Sequence, residues 1–227
     1  MFTHAPKLFV IRAANSTAPA GAMAVRAPGG SGSATRPLLR MPAAGIVAGT
    51  LVETAEGWRP VETLAPGMRV QTWDGGLQPL QRVVRHRLAP AAPLLRVAGG
   101  TLSTCSDLWL LPRQHVMVET GAAAERLDCD MALVPAGALD GLDGVRLERP
   151  RRGLDVLGLA FDAEEIVYAN TGALLHCPAA GVPVVAAPMS DFFTVLDAEA
   201  ARAMLGLWAP PAGAPALPTP MPGARAA

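Results

Sequence analysis

GIVAGTLVETAEGWRPVETLAPGMRVQTWD, residues Gly45 to Asp74, decides the fold class. A short apolar run ends at Gly49-Thr50, and a strand is predicted over Thr50–Thr54. The turn Ala55-Glu56-Gly57 leads into a second strand, Trp58–Val61. Ala65-Pro66-Gly67 is another turn, followed by the alternating strand Arg69–Thr72 and the closing Asp74-Gly75-Gly76. Strands this short, punctuated by turn chemistry every few residues, predict a compact, mainly β module.

The same texture continues downstream. Leu80–Arg87 reads as a strand with Leu80, Val83 and Val84 among basic residues, broken by Pro90 and Pro93. Leu94–Val97 and the apolar run Leu108–Leu111 follow. Pro112-Arg113-Gln114 is a turn before the strand His115–Val118. Ala132–Pro135 is a further strand, and Ala138–Gly144 is a turn region. Leu159–Phe161 and Ile166–Ala169 are strands flanking the acidic turn Asp162–Glu165, with Asn170-Thr171-Gly172 as the next turn. Val182–Ala187 is an apolar piece ending at Pro188. Asp197–Leu207 reads as a short C-terminal helix, with Asp197 as its N-cap and Gly206 as its stop. The flanks differ. Residues 1–40 read as a flexible low-complexity leader in which only Leu8–Arg12 has strand character. Residues 208–227 read as a disordered Pro/Ala tail, because both carry too little bulky apolar surface to offset the entropy of ordering. The ordered domain is expected over 41–207.

Composition narrows the function classes. The net charge is zero and Lys7 is the only lysine. No basic face emerges from the composition, so nucleic acid is not an expected partner. No apolar run approaches the ~18–20 residues of a membrane span. Phe9-Val10-Ile11 is too short for a signal-peptide core, so a cytoplasmic location is expected, with export by an unrecognised route left open. The three cysteines, Cys105, Cys129 and Cys177, form no CxxC pair. Neither a zinc site nor a full disulfide framework is predicted, and buried free thiols are the plain expectation. The acidic turn Asp162, Glu164, Glu165 offers oxygen ligands for a hard cation, but such a run is more often a solvated turn. No metal and no cofactor are predicted.

Three blocks in order resemble the Hint module, the fold shared by inteins and hedgehog autoprocessing domains, and in particular the bacterial Hedgehog/intein (Hint) proteins. The first is Gly45–Asp74 with its continuation to RVVRHRL. The second is DLWLLPRQHVMVE, Asp107–Glu119. The third is FDAEEIVYANTG, Phe161–Gly172, which is similar to a family segment D-x-HEIVFANG. The resemblance spans Met41 to Gly206. It implies a horseshoe-like fold of short strands. It also implies a self-cleavage chemistry in which a Cys or Ser attacks the preceding peptide carbonyl, with a Thr-x-x-His block assisting the leaving amide.

This chain departs from that chemistry. The nucleophile position, four residues before the Gly of Gly49-Thr50, is Gly45. The histidine is kept as His115, but Pro112 stands three residues before it, where the hydroxyl belongs. Glu164-Glu165 replaces the family's His-Glu, and His176-Cys177 lacks the Asn of an intein junction. Members of a catalytic unit fail together, so the resemblance with these losses implies a degenerate Hint module serving as a structural or interaction domain. The rival reading is autoprocessing through a non-standard nucleophile, Cys105 or Cys177, or a water, with His115 as general acid/base. His115 is otherwise a plain strand histidine, and Cys177 faces away from its neighbour His176 if both lie on one strand. A third reading is a binding module for an unknown protein partner, with the leader as the presented segment.

Overall fold

A computed structural model describes residues 41–182 and 190–206. The expected leader, the expected tail and most of the apolar piece Val182–Ala187 lie outside the described residues. Among the described residues fourteen short strands form two antiparallel sheets. In chain order they are β1 (Ile46–Val47), β2 (Leu51–Thr54), β3 (Gly57–Pro60), β4 (Arg69–Thr72), β5 (Gly76–Pro79), β6 (Arg82–Arg87) and β7 (Leu94–Val97). There follow β8 (Leu108–Leu110), β9 (His115–Glu119), β10 (Met131–Pro135), β11 (Val145–Glu148), β12 (Asp155–Ala160), β13 (Glu165–Ala169) and β14 (Ala173–Cys177). A single helical turn, α1 (Ala124–Leu127), precedes β10, and α2 (Ala198–Met204) closes the described chain.

The first sheet runs β11-β7-β8-β1-β12-β6; the second runs β10-β9-β14-β13-β2-β4-β5, with β3 on β2. The main core lies on their apolar faces. Ile46, Leu110 and Leu157 from the first sheet meet Val70, Val116, Val167 and Leu175 from the second in one cluster that also holds Phe161. Alternation accounts for β2 and β4. In β4, Val70 and Thr72 are buried while Arg69 is exposed, the period-two pattern of a half-buried strand. β12 and β14 are buried on nearly every residue and show no such alternation.

Three local expectations shift. Leu80–Arg87 is not one strand: Leu80-Gln81 turns the chain from β5 in the second sheet to β6 in the first, and buried Leu80 fills the corner. The second predicted strand ends at Pro60, because Val61–Thr63 winds into a 3-10 turn closed by Leu64 N–H on Val61 O. Ala138–Gly144 is part 3-10 turn, and it feeds β11, an edge strand with the charged sequence VRLE. The helix forms where expected, starting one residue after Asp197 and ending at Met204, three residues before Leu207. Asp197 accepts from Ala200 N–H at 2.8 Å as its N-cap. No described helix is long and apolar enough to cross a membrane.

Candidate functional site

β1 enters the interior of the first sheet, with Ile46 opposite Leu157 of β12 and opposite Leu110 of β8. The Ala44–Gly45 peptide therefore sits at the mouth of that sheet, buried. Gly45 has φ +146°, a backbone conformation that L side chains rarely adopt. A Cβ built on it would lie 2.5 Å from Val156 Cγ1 and 3.3 Å from Leu157 O. Any side chain at this position meets both backbone strain and a filled space.

The amide nitrogen of the same peptide is held. Gly45 N–H donates to Gln114 Oε1 at 2.7 Å. Gln114 Nε2 in turn donates to His115 O at 2.9 Å and His176 O at 2.8 Å. One orientation of the carboxamide satisfies all three bonds, so the network itself fixes which end is oxygen. Gln114 is buried in the turn that precedes β9, closed by its own N–H on Leu111 O at 3.0 Å.

Pro112 is structural: its carbonyl accepts from Gly137 N–H at 2.8 Å, tying this turn to the 3-10 turn after β10. Leu111, just before it, is fully buried against Val47, Leu88, Leu94 and Val156.

β9 pairs with β14, Val116 opposite Leu175 and Met117 opposite Leu174. One step further along that ladder sets His115 across from His176. Both rings are buried, and the Nδ1 of each has no hydrogen-bond partner. Burial, with smaller contributions from His176 and Arg113, pushes the His115 imidazole down to about 4. At neutral pH the ring is therefore held neutral, without the proton a general acid must deliver. His176 is also lowered by burial, partly offset by Glu164.

His176 Nε2 lies 2.7 Å from Glu164 Oε2. The other oxygen of Glu164 accepts from the Ser190 hydroxyl and from Asp191 N–H, each at 3.0 Å. Glu164 thus clasps β14 to the segment leading to α2. Its neighbour Glu165 is buried on the opposite face of β13, opposite Cys177 in the ladder. Burial raises its pKa, the Thr72 hydroxyl opposes that, and Asp74 adds to it.

Ala44, Gly45, Gly158, Leu159, His176 and Cys177 line a narrow crevice of about 10 Å³, room for about one water molecule. Of the residues singled out in the sequence, Gly45 and Cys177 meet here, and Gln114 links His115 to them through the backbone. The Cys177 thiol is buried, and its pKa is pushed up to about 12, mainly by burial and further by Glu165. Cys105 is elsewhere. It is exposed, with its N–H on Asn170 O at 2.8 Å, and does not line the crevice. Among the described residues no group of three or more His, Cys, Asp or Glu is placed to hold a metal.

A family model for the Hint domain matches residues 44–174, more than half of the chain. The chain belongs to the Hint domain family.

Among solved structures, the bacterial intein-like domain from Clostridium thermocellum is similar at 16% identity and a TM-score of 0.44, covering 59% of this chain and 98% of that one. A glutathione-linked, splice-inactive variant of the AceL NrdHF class 3 split intein is similar at 12% identity and a TM-score of 0.41, covering 60% and 98%. No curated protein sequence matches.

The Hint match begins at Ala44, one residue before the glycine whose amide is held by Gln114. In the sequence Gln114 reads only as a turn residue, and the partnership of Glu164 with His176 is not visible. A signal for the first was present: a Gln immediately before a strand histidine, ahead of a buried strand. For the second there was none, because a contact between β13 and β14 follows only from a ladder whose second strand was not predicted.

Proposed function

We propose that this Hint domain no longer cleaves or splices itself and acts as a structural or interaction module. The observation that carries the reading is Gly45. It lacks a nucleophile, and the volume a nucleophile would need is taken by Val156 and the Leu157 carbonyl. Two further observations support it. The Gly45 N–H is tied to the Gln114 carboxamide oxygen, a neutral group that has no proton to give its nitrogen. His115 is held neutral, with no hydroxyl at Pro112 to assist it. A general acid needs a pKa near the working pH and reach to the leaving group; burial takes away the first. The domain boundaries 41–207 belong to the same proposal, with the leader and tail as appendages.

The rival chemistry rests on Cys177, which shares the crevice with Ala44-Gly45. Its thiol pKa of about 12 works against it, since only the thiolate attacks a carbonyl. Hydroxylamine tests both readings, because it cleaves any thioester formed by a sulfur on the chain. Incubation of the full chain with hydroxylamine at neutral pH is expected to leave the mass unchanged. A fragment pair that disappears in Cys177→Ala would overturn the proposal in favour of Cys177; a pair that disappears in Cys105→Ala would do so in favour of Cys105.

A further inference from the structure

β6 is the outermost strand of the first sheet among the described residues. Leu88 N–H bonds Leu154 O at 2.8 Å, continuing the register in which His86 faces Val156 and Val84 faces Gly158. In an antiparallel ladder alternate residues bond the same neighbour, so Val83, Arg85 and Arg87 turn their backbone N–H and C=O groups to the open side. Such an edge is a ready template for a further strand.

The chemistry around this edge is one-sided. Arg82, Arg85 and Arg87 on β6 and Arg149, Arg151 and Arg152 in the β11–β12 loop are all exposed. The loop is fastened beside the strand's end: Ala91 N–H donates to Pro150 O at 2.8 Å and Arg149 Nη1 donates to Ala91 O at 3.1 Å. Among the described residues only Asp155 pairs with this charge, at 3.3 Å from Arg85 and 2.9 Å from Arg87. Among the described residues Arg82, Arg149, Arg151 and Arg152 form no ion pair. Where β6 ends, Met41, Pro42, His86 and the Leu88–Ala92 connection line a groove of about 300 Å³, mostly apolar. The Nε2 of His86 in its wall is buried without a partner.

We propose that β6 is a docking edge for an extended acidic segment of a partner protein. The segment adds as a strand beyond β6, sets carboxylates on Arg82, Arg151 and Arg152, and drops one apolar side chain into the groove. Charge complementarity selects this occupant. A second copy would bring the same arginines to its own β6. The chain's own leader carries Lys7, Arg12, Arg26, Arg36 and Arg40 with no acidic residue, and the tail carries only Arg225. Nucleic acid supplies negative charge but no backbone to complete the ladder. The inference rests on the interaction-module reading, yet it uses a different edge from Gly45, so mass stability and peptide binding succeed or fail separately.

The test is fluorescence anisotropy on the full chain with a labelled nine-residue peptide alternating Glu and Val, one Val replaced by Leu. Binding is expected, weakening about tenfold when salt rises from low to physiological strength. It should weaken at least about tenfold when prolines replace two valines, since proline removes the N–H groups that pair with the edge. Arg82→Glu with Arg152→Glu should lose binding while circular dichroism stays unchanged; Arg152→Ala alone, should the pair fail to fold, should weaken it several-fold. Absence of binding to the unaltered chain, undiminished binding of the proline peptide, or unchanged binding by the arginine variants would overturn the proposal. Oligothymidine binding as tightly as the peptide would overturn it too, by making the edge a general polyanion surface.

Discussion

The junction at Gly45 and the hairpin of β13 and β14 lie in one domain and are built differently. At Gly45 there is no side chain, Val156 lies where a Cβ would go, and Gln114 holds the amide. At the hairpin the expected histidine is Glu164, yet an imidazole still meets it, supplied from the opposite strand by His176 at 2.7 Å. What is kept at the hairpin is a clasp that joins two strands and the path to α2. What the junction shows is a backbone amide packed and hydrogen-bonded in place. The contrast separates residues that hold this domain together from residues that would make it react.

The comparison breaks most visibly if Gly45 accepts a side chain. Gly45→Cys is expected to destabilise the protein by roughly 2–4 kcal/mol, combining positive-φ strain with overpacking, measured by urea denaturation. Combined with Val156→Ala, the loss should be clearly less than additive, because the two sites touch. No cleavage is expected from either variant, since Pro112 and the neutral His115 remain.

Gln114→Leu comes next. It leaves Gly45 N–H and two carbonyls without their partner, and a cost of roughly 2–3 kcal/mol is expected. A cost near zero would mean the carboxamide network is ornamental. At the hairpin, His176→Gln should cost roughly 1–3 kcal/mol, as expected for a buried bond to a charged group. Glu164→Gln, which keeps an acceptor for Ser190 and Asp191, should cost less than His176→Gln.

Acid sensitivity sharpens the picture. His115 titrates at about 4 when folded and near 6.5 when unfolded, and His176 is lowered too. Between those values the unfolded chain binds more protons, so stability should fall as pH drops from about 6.5 to about 4. His115→Gln should flatten that slope, measured by denaturant midpoints across the range. The smallest effect is at the thiols. Iodoacetamide at pH 8 should label exposed Cys105 on the native chain and reach buried Cys177 only after unfolding, read by mass.

Much of the sheet framework was legible in the sequence, because β2, β4, β7 and β9 carry alternation or turn chemistry close by. β11 was not, since VRLE is short and charged at an edge. β14 was not, because burial on both faces leaves no period to read. That residue 45 is a glycine with no side chain to react could be read directly. The closure of its space could not, since Val156 and Gln114 are far from it in sequence and reach it only through the β1–β12 pairing and the turn before β9.

The most direct test of the central claim is the intact mass of the full chain, tagged at both ends and followed over days with and without dithiothreitol. A single unchanged mass is the predicted result. A break at Ala44-Gly45, abolished by His115→Ala, would contradict the account.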